Sequence, residues 1–243
     1  MCEFLSSVWA SCKEHGSDIV CSIIETAGVI VAARIGVGGL KKIAKDRFDT
    51  YFTSFSSKNH DLERILNRAE KEITIIVVYG DNLLETYKPL LADRLKQDIK
   101  INFLMLTKDK AQQMTKDYYN DSDEEFRSRY KKSLEYLMSL SESHNFKVRM
   151  CELPLSASYI AIDCGIENTW RMRDALIQIM VYQYGVKTPK APITYLSHGT
   201  PDDILESTID SLRNMWSKGR EEDLSSILAS LDGESSAGQQ KGC

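Results

Sequence analysis

The chain lacks the sequence signatures of metal binding, disulfide bonding and nucleotide-phosphate binding. Its six cysteines are Cys2, Cys12, Cys21, Cys151, Cys164 and Cys243. None forms a CxxC pair or has a histidine at metal-ligand spacing, which argues against a zinc site or a disulfide scaffold and fits a reducing compartment. The sequence also contains no GxGxxG and no GxxxxGKS/T segment, so the common phosphate-binding loops are absent. We therefore expect no metal and no cofactor.

The chain also lacks a strong excess of either charge. It has 31 Lys and Arg against 35 Asp and Glu, a net charge of -4, so composition predicts no nucleic-acid partner. Residues 1–16 have neither a basic start nor a continuous apolar core, and we expect no cleavable signal peptide and a cytoplasmic location. A hydrophobic fraction of 42% in 243 residues suffices for one sizeable α/β domain with an appendage.

Changes in composition along the chain predict three parts. Residues 1–56 have a helical pattern and form a predicted membrane-associated or oligomerisation segment, ended by the polar stretch SSKNHD. Residues 57–218 carry the alternating strand and helix patterns of an α/β domain. Residues 219–243 are rich in Gly, Ser and Gln, and we expect a flexible tail there.

The most apolar stretch, residues 18–40, allows two interpretations. As a helix, residues 19–40 would extend about 33 Å, enough to cross the hydrocarbon core of a bilayer. Basic residues follow at positions 41, 42, 45 and 47, which would leave the larger domain in the cytoplasm, anchored to the inner face of the cell membrane. The other interpretation is a buried helix in a soluble assembly.

Small and charged residues within this stretch bear on both interpretations. Gly28, Ala32 and Gly36 lie four residues apart, a spacing that allows close approach between helices. Glu25 and Arg34 would each cost about 2.5–3.5 kcal/mol near the bilayer centre unless they pair between chains. Either way the apolar surface needs a partner, so we expect a homo-oligomer or membrane attachment.

The middle of the chain has the pattern of an α/β sheet. The segments EITIIVVYG and IKINFLML are continuous apolar runs that predict buried strands, and the amphipathic segment DNLLETYKPLLADRLKQ between them predicts a helix. This order predicts a parallel strand pair with a right-handed crossover. Four further strand candidates are FKVRMCEL, YIAID, ALIQIMVYQYG and APITYLS. Ser122 and Glu125 form a capping box before a later helix.

Polar residues at the ends of the first two strands are candidate ligand contacts. In α/β sheets, ligands bind beyond the carboxyl ends of the parallel strands. Gly80, Asp81 and Asn82 follow the first strand and begin the next helix, whose free N–H groups can receive an anion. Thr107 and Lys108 follow the second strand. The alternative for this Gly-Asp-Asn sequence is an ordinary turn with a helix cap.

The order of these elements over residues 61–218 resembles the phospholipase D-like superfamily, and more closely its degenerate branch found as sensory domains of bacterial regulatory proteins. Three segments carry the resemblance: LERILNRAEKEITIIVVYGDNLLETYKPLLADRLKQDIKINFLML, SASYIAIDCG, and IMVYQYGVKTPKAPITYL followed by a helix that ends in LRNMW. The resemblance implies a mixed sheet flanked by helices, and a role in bacterial regulation or defence.

The resemblance also implies a lost active site. Active members use His-x-Lys-x4-Asp, in which the His attacks phosphorus and the Lys stabilises phosphate oxygens. If Asp163 holds the Asp position, Ser156 holds the His position and Ser158 the Lys position. A serine supplies neither an imidazole nor a positive charge, and no histidine in the chain has a lysine two residues later. Ser156, Ser158 and Asp163 remain as hydrogen-bonding candidates.

Three functional hypotheses follow. In the first, a non-catalytic signalling protein binds a small polar or phosphorylated ligand, or a protein partner, and its N-terminal helices mediate membrane attachment or self-assembly. In the second, an α/β hydrolase or nucleotide-processing enzyme uses Asp81, Asp163 and His198. In the third, the α/β domain is an inert scaffold for a membrane oligomer. We prefer the first, because the motif for phosphodiester cleavage is missing.

Overall fold

A computed structural model of the chain describes residues 53–54, 59–119, 121–167, 175–183, 191–197, 200 and 202–239. All of them fall in the second of two compact units, which spans Thr50–Cys243. The predicted membrane or oligomerisation residues Glu25, Gly28, Ala32, Arg34 and Gly36, with the whole apolar stretch 18–40, lie outside the described residues. Within the described part, no helix is long and apolar enough to cross a membrane.

Seven described strands form one mixed sheet. The strands are β1 (Thr53–Ser54), β2 (Glu72–Val77), β3 (Lys100–Leu106), β4 (Phe146–Cys151), β5 (Ala157–Ile162), β6 (Leu176–Val181) and β7 (Pro192–Ser197). Their spatial order is β1-β7-β6-β5-β2-β3-β4. Strands β2, β3 and β4 are parallel to one another. Strand β5 runs antiparallel to β2, and the remaining pairs out to β1 are also antiparallel.

Six described helices flank the sheet. They are α1 (Asn59–Arg68), α2 (Asp81–Lys96), α3 (Lys108–Tyr119), α4 (Asp123–Leu140), α5 (Asp202–Lys218) and α6 (Leu224–Gln239). Helix α4 packs against α2, α3 and α6, and the Tyr130 hydroxyl on α4 donates a hydrogen bond to the Leu106 carbonyl oxygen of the sheet. Helix α5 lies on the opposite face, where the guanidinium of Arg149 lies 4.7 Å from the centre of the Trp216 ring.

The predicted α/β class, with a mixed sheet flanked by helices, is confirmed. Each apolar segment that predicts a strand forms one, and β2 and β3 are parallel with a helix between them. Every residue of β2 and nearly every residue of β3 is buried, because a strand covered by helices on both faces has no solvent-facing side. The capping box is also present, since Ser122 accepts a hydrogen bond from Glu125 N–H and the Glu125 side chain accepts from Ser122 N–H.

The ends of the domain differ from the sequence prediction in two places. Thr53 and Ser54 were assigned to a helical segment, but they form strand β1 and pair with Ile193 and Pro192. This pairing covers backbone groups that β7 would otherwise expose at the sheet edge. The predicted flexible tail is also wrong for residues 224–239, which form helix α6. Its buried side chains Leu224 and Leu231 join the hydrophobic core, so burial overcomes a composition typical of disorder.

The packing of α6 predicts a measurable contribution to stability. Leu231 is only 1% exposed, so Leu231→Ala should lower the free energy of unfolding by about 2–4 kcal/mol, because it removes buried methyl groups and leaves a cavity. Urea denaturation measures the change. Ser226→Ala, at an exposed position of the same helix, is the matched control and should change stability by less than about 0.5 kcal/mol. Equal stability of the two variants would mean that α6 does not pack on the domain.

Candidate functional site

A cavity of about 160 Å³ lies beyond the carboxyl end of β2, between the sheet and helices α1 and α2. Its volume is close to the roughly 150 Å³ of an engineered apolar cavity that admits benzene. Most of its wall is apolar or aromatic, with contributions from Leu62, Ile160, Met180, Tyr79, Tyr87 and Tyr182. Its polar wall comes from the start of α2 and from β5 and β6. The cavity has room for one small ring.

The antiparallel pairing of β5 with β2 creates this cavity. Because the two strands run in opposite directions, the start of β5 lies beside the end of β2, with Tyr159 opposite Ile76. Between β5 and β6, Ile160 lies opposite Gln178 and Ser158 lies opposite Met180. Side chains two residues apart on a strand share a face. The cavity wall therefore includes all four side chains of these two β5–β6 pairs, Ser158, Ile160, Gln178 and Met180.

Gly80 forms the sharp connection between β2 and α2. Its φ angle is +77°, in the left-handed region that glycine adopts without strain. A Cβ atom at this position would lie 2.9 Å from Phe103 Cζ and 3.0 Å from Val77 Cγ2, so the space for a side chain is already filled. Glycine therefore allows α2 to begin directly at the strand end, with Gly80, Asp81 and Asn82 lining the cavity.

An ion-pair group closes one side of the cavity. Arg129 on α4 contacts Asp81 through Nε at 2.8 Å and Nη2 at 3.3 Å, and its Nη1 lies 3.0 Å from Asp121. Its guanidinium also lies 5.0 Å from the centre of the Tyr79 ring. Burial opposes the charge, but the hydrogen bonds to Asp81 hold the pKa of Arg129 above its ordinary value. Among the described residues of this wall, one positive charge therefore faces two carboxylates.

Two polar side chains in the cavity wall are nearly fully buried and have no hydrogen-bond partner among the described residues. Ser158 is 7% exposed and Gln178 is 5% exposed, and both line the cavity. Buried polar side chains in native proteins almost always have partners, because an unmade hydrogen bond costs about 1–3 kcal/mol. An unpartnered hydroxyl and amide in a ring-sized cavity are what a binding site for a polar molecule requires.

The structure brings together only some of the predicted ligand contacts. Gly80, Asp81, Asn82 and Ser158 line the cavity, whereas the other predicted contacts do not. Ser156 is exposed, and its carbonyl oxygen accepts a hydrogen bond from Tyr182 N–H. Thr107 donates its N–H to the Cys151 carbonyl oxygen. Lys108 begins α3, outside the cavity wall.

Three residues of the cavity wall are not among the predicted ligand contacts. They are Arg129, Gln178 and Tyr182. Gln178 did carry a signal, because it is a lone amide within the apolar strand segment ALIQIMV, where a polar side chain must face either a partner or a cavity. Arg129 carried none, since its partner Asp81 lies 48 residues away.

Asp163 does not belong to the cavity, contrary to the prediction. It is 2% exposed, and its carboxylate accepts hydrogen bonds from the backbone N–H groups of Glu70, Lys71 and Glu72 at 2.9, 2.8 and 3.0 Å. It therefore holds the end of β5 to the start of β2. A six-residue strand is about 20 Å long, so Asp163 and the cavity lie at opposite ends of β2. Its φ angle of +54° suits a short polar residue.

This separation also removes the geometric basis of the predicted enzyme site. Asp81 follows the carboxyl end of β2, and Asp163 lies at its amino end, so the two carboxylates cannot contact one small substrate. His198, the third member, lies outside the described residues. No group of three or more His, Cys, Asp or Glu side chains among the described residues is arranged to hold a metal ion.

A buried polar network lies beside Asp163 on the α5 face of the sheet. Glu72 is fully buried, and its Oε1 accepts a hydrogen bond from Ile166 N–H at 2.9 Å. Thr74 and Asn102 continue the network along the strands. Burial raises the pKa of Glu72 above the ordinary 4.5, and the hydrogen bond from Ile166 offsets this only in part. The second carboxylate oxygen of Glu72, Oε2, is buried without a hydrogen-bond partner among the described residues.

Comparisons with known proteins give low similarities. No protein-family model matches the chain, and no curated protein matches it. Among solved structures, the archaeal chromatin protein TrmBL2, described with a novel mode of DNA binding, is 9% identical with a TM-score of 0.46, over 86% of this chain and 72% of that chain. Phosphatidylserine synthase from Haemophilus influenzae is 13% identical with a TM-score of 0.37, over 79% of this chain. The matched region spans 46% of the synthase.

The hydrogen bonds of Asp163 predict a large effect on stability. Asp163→Ala should lower the free energy of unfolding by about 3 kcal/mol or more, because three backbone N–H groups lose a charged acceptor and alanine is strained at a positive φ angle. Asp163→Asn keeps the shape and one acceptor oxygen, and should cost only about 1–2 kcal/mol. Urea denaturation measures both. Wild-type stability in both variants would contradict the structural role of Asp163.

The raised pKa of Glu72 predicts how stability depends on pH. The folded state holds the proton more tightly than the unfolded state, so this contribution is complete below pH 4.5 and is lost as pH rises through the folded pKa. Glu72→Gln should remove that part of the decline, because the side chain no longer titrates. Unfolding free energies measured between pH 4 and about pH 7.5 test this. Glu142→Gln, at an exposed turn, should leave the decline unchanged.

Proposed function

We propose that the described domain is a non-catalytic sensing module that binds a small, uncharged polar molecule in the cavity between β2, β5, β6 and α2. The observation that carries this proposal is the pair of buried, unpartnered polar side chains Ser158 and Gln178 in the cavity wall. A folded protein bears the cost of such groups where a bound molecule completes their hydrogen bonds. The cavity volume of about 160 Å³ restricts this molecule to about one ring.

The charges around the cavity favour an uncharged molecule over a phosphorylated one. Arg129 is the cation in the cavity wall, and it is already paired with Asp81 and Asp121. A phosphate would carry about two more negative charges to a wall whose cation, among the described residues, is already paired. Lys108, the predicted anion contact, does not line the cavity. Of the polar and phosphorylated ligands that the sequence allowed, the polar one fits the geometry.

The proposed sensing role follows from the elements that meet at the cavity. One wall is the first turn of α2, which is joined to α4 by the ion pair between Asp81 and Arg129. The other wall is β5 and β6. A molecule that contacts both walls stabilises the packing in which they are correctly spaced, and this shifts the population of domain conformations. The predicted N-terminal segment 1–56 would pass the change to membrane attachment or self-assembly.

The resemblance to degenerate phospholipase D-like domains supports the absence of catalysis. At the position of the family lysine, Ser158 supplies a neutral hydroxyl to the cavity wall, and Ser156 replaces the nucleophilic histidine. A serine nucleophile requires an adjacent general base. In the described part of the chain, neither hydroxyl makes a hydrogen bond to a histidine or a carboxylate. We therefore infer a domain that recognises a molecule without transforming it.

The proposal predicts opposite effects on stability and binding. Gln178→Met keeps the side-chain volume but removes an unpartnered amide, so the free energy of unfolding of the ligand-free protein should stay equal or rise by up to about 1–2 kcal/mol. The same change should abolish the thermal stabilisation that a library of small neutral compounds produces in the wild type. Thermal unfolding with and without compounds measures both effects.

The control for this experiment is Gln183→Met, the same substitution at an exposed position just beyond β6. It should change neither stability nor the response to compounds. If Gln178→Met destabilises the ligand-free protein by about 2 kcal/mol or more, Gln178 has a structural role and the binding proposal loses its support.

A further inference from the structure

The buried amide of Gln178 identifies the kind of molecule that the cavity selects. A primary amide presents a donor N–H and an acceptor oxygen side by side. The group that satisfies both at once has an adjacent acceptor and donor of its own, as in a second amide or a lactam. A hydroxyl or an ether can satisfy only one position at a time with good geometry. Because Gln178 has no partner among the described residues, both positions are open.

The position of Ser158 sets the size of the recognised group. Ser158 and Gln178 lie on adjacent strands of the same cavity wall, two residue pairs apart along the β5–β6 ladder. Diagonal neighbours of this kind have Cα atoms roughly 7–8 Å apart. One ring with polar groups at neighbouring positions spans the gap between a hydroxyl and an amide so placed. The two side chains can therefore bind one molecule together.

The remaining cavity wall suits a flat ring. Tyr79, Tyr87 and Tyr182 supply aromatic surface, and Ile160 and Met180 supply apolar surface beside the two polar groups. Aromatic side chains pack favourably against planar rings. A molecule with apolar faces and a polar edge matches this arrangement, whereas a flexible polyol would leave hydroxyl groups against apolar wall.

We infer that the cavity selects an uncharged aromatic or heteroaromatic ring with an amide or lactam edge, the chemical class of nicotinamide and uracil, read by Gln178 and Ser158. This inference rests on the proposed function, because it specifies the molecule that the same cavity binds. A cavity of about 160 Å³ holds the ring alone. A phosphate group on such a ring would find the described cation of the wall, Arg129, already paired.

The test uses the full-length protein and four single-ring probes measured by ligand-observed NMR titration. Nicotinamide and uracil carry the amide edge, phenol carries only a hydroxyl, and benzoate carries a charge. Nicotinamide or uracil should bind at least tenfold more tightly than phenol and benzoate, because only they satisfy both positions of Gln178. Gln178→Met should weaken that binding at least tenfold and change phenol binding less than threefold. Gln183→Met should change neither.

Three other outcomes would contradict either the amide inference or the proposed function. If phenol binds as tightly as the amide probes and Gln178→Met affects all of them alike, the cavity is a binding site but the amide inference is wrong. If benzoate binds most tightly, the site selects anions and the inference is wrong. If no neutral ring binds the wild type at millimolar concentration, the proposed function fails with it. Ser158→Ala supplies a second readout, with a smaller loss of amide-probe binding expected.

Discussion

The antiparallel pairing of β5 with β2 is the interaction on which the rest of the domain depends. Asp163 fixes this pairing at one end, because its carboxylate accepts three backbone hydrogen bonds from residues 70–72. A slip of one residue would turn every side chain of β5 to the other face. The register therefore decides that Ser158 and Ile160 face α2, and a structural carboxylate about 20 Å away determines the composition of the cavity.

The cavity wall combines apolar side chains with two polar side chains that have no hydrogen-bond partner among the described residues. A fully apolar wall of the same shape would be more stable, because Ser158 and Gln178 leave buried hydrogen-bonding capacity unused. Elsewhere the Tyr130 hydroxyl and the Asp163 carboxylate make hydrogen bonds. Four other buried side-chain atoms have no partner in the described part of the chain: Glu72 Oε2, Arg94 Nε, Arg149 Nε and Trp216 Nε1. The two ends of β2 thus differ in what their polar side chains do. At one end the Asp163 carboxylate holds two strands together, and at the other end polar side chains face a cavity.

The charges at the cavity wall are paired within the protein. The cation Arg129 is shared between Asp81 and Asp121. The guanidinium joins the start of α2 to α4 and packs on the Tyr79 ring. It therefore ties two helices together beside the cavity, and the proposed ligand would contact the neutral groups of the wall. Neutral hydrogen-bonding groups in an apolar cavity select for shape and for donor–acceptor pattern.

Local pattern was enough to predict strands β2 to β7, the β2–α2–β3 crossover and the Ser122–Glu125 capping box, because each depends on residues close together in sequence. It also indicated Gly80, Asp81, Asn82 and Ser158 as site residues, since strand ends and a family motif mark them. Only the tertiary structure decided that Asp163 is structural, that Gln178 and Arg129 belong to the site, and that residues 224–239 form a packed helix. These outcomes depend on contacts between residues some 20 to over 90 positions apart. Such contacts follow from strand register and packing, which local periodicity does not encode.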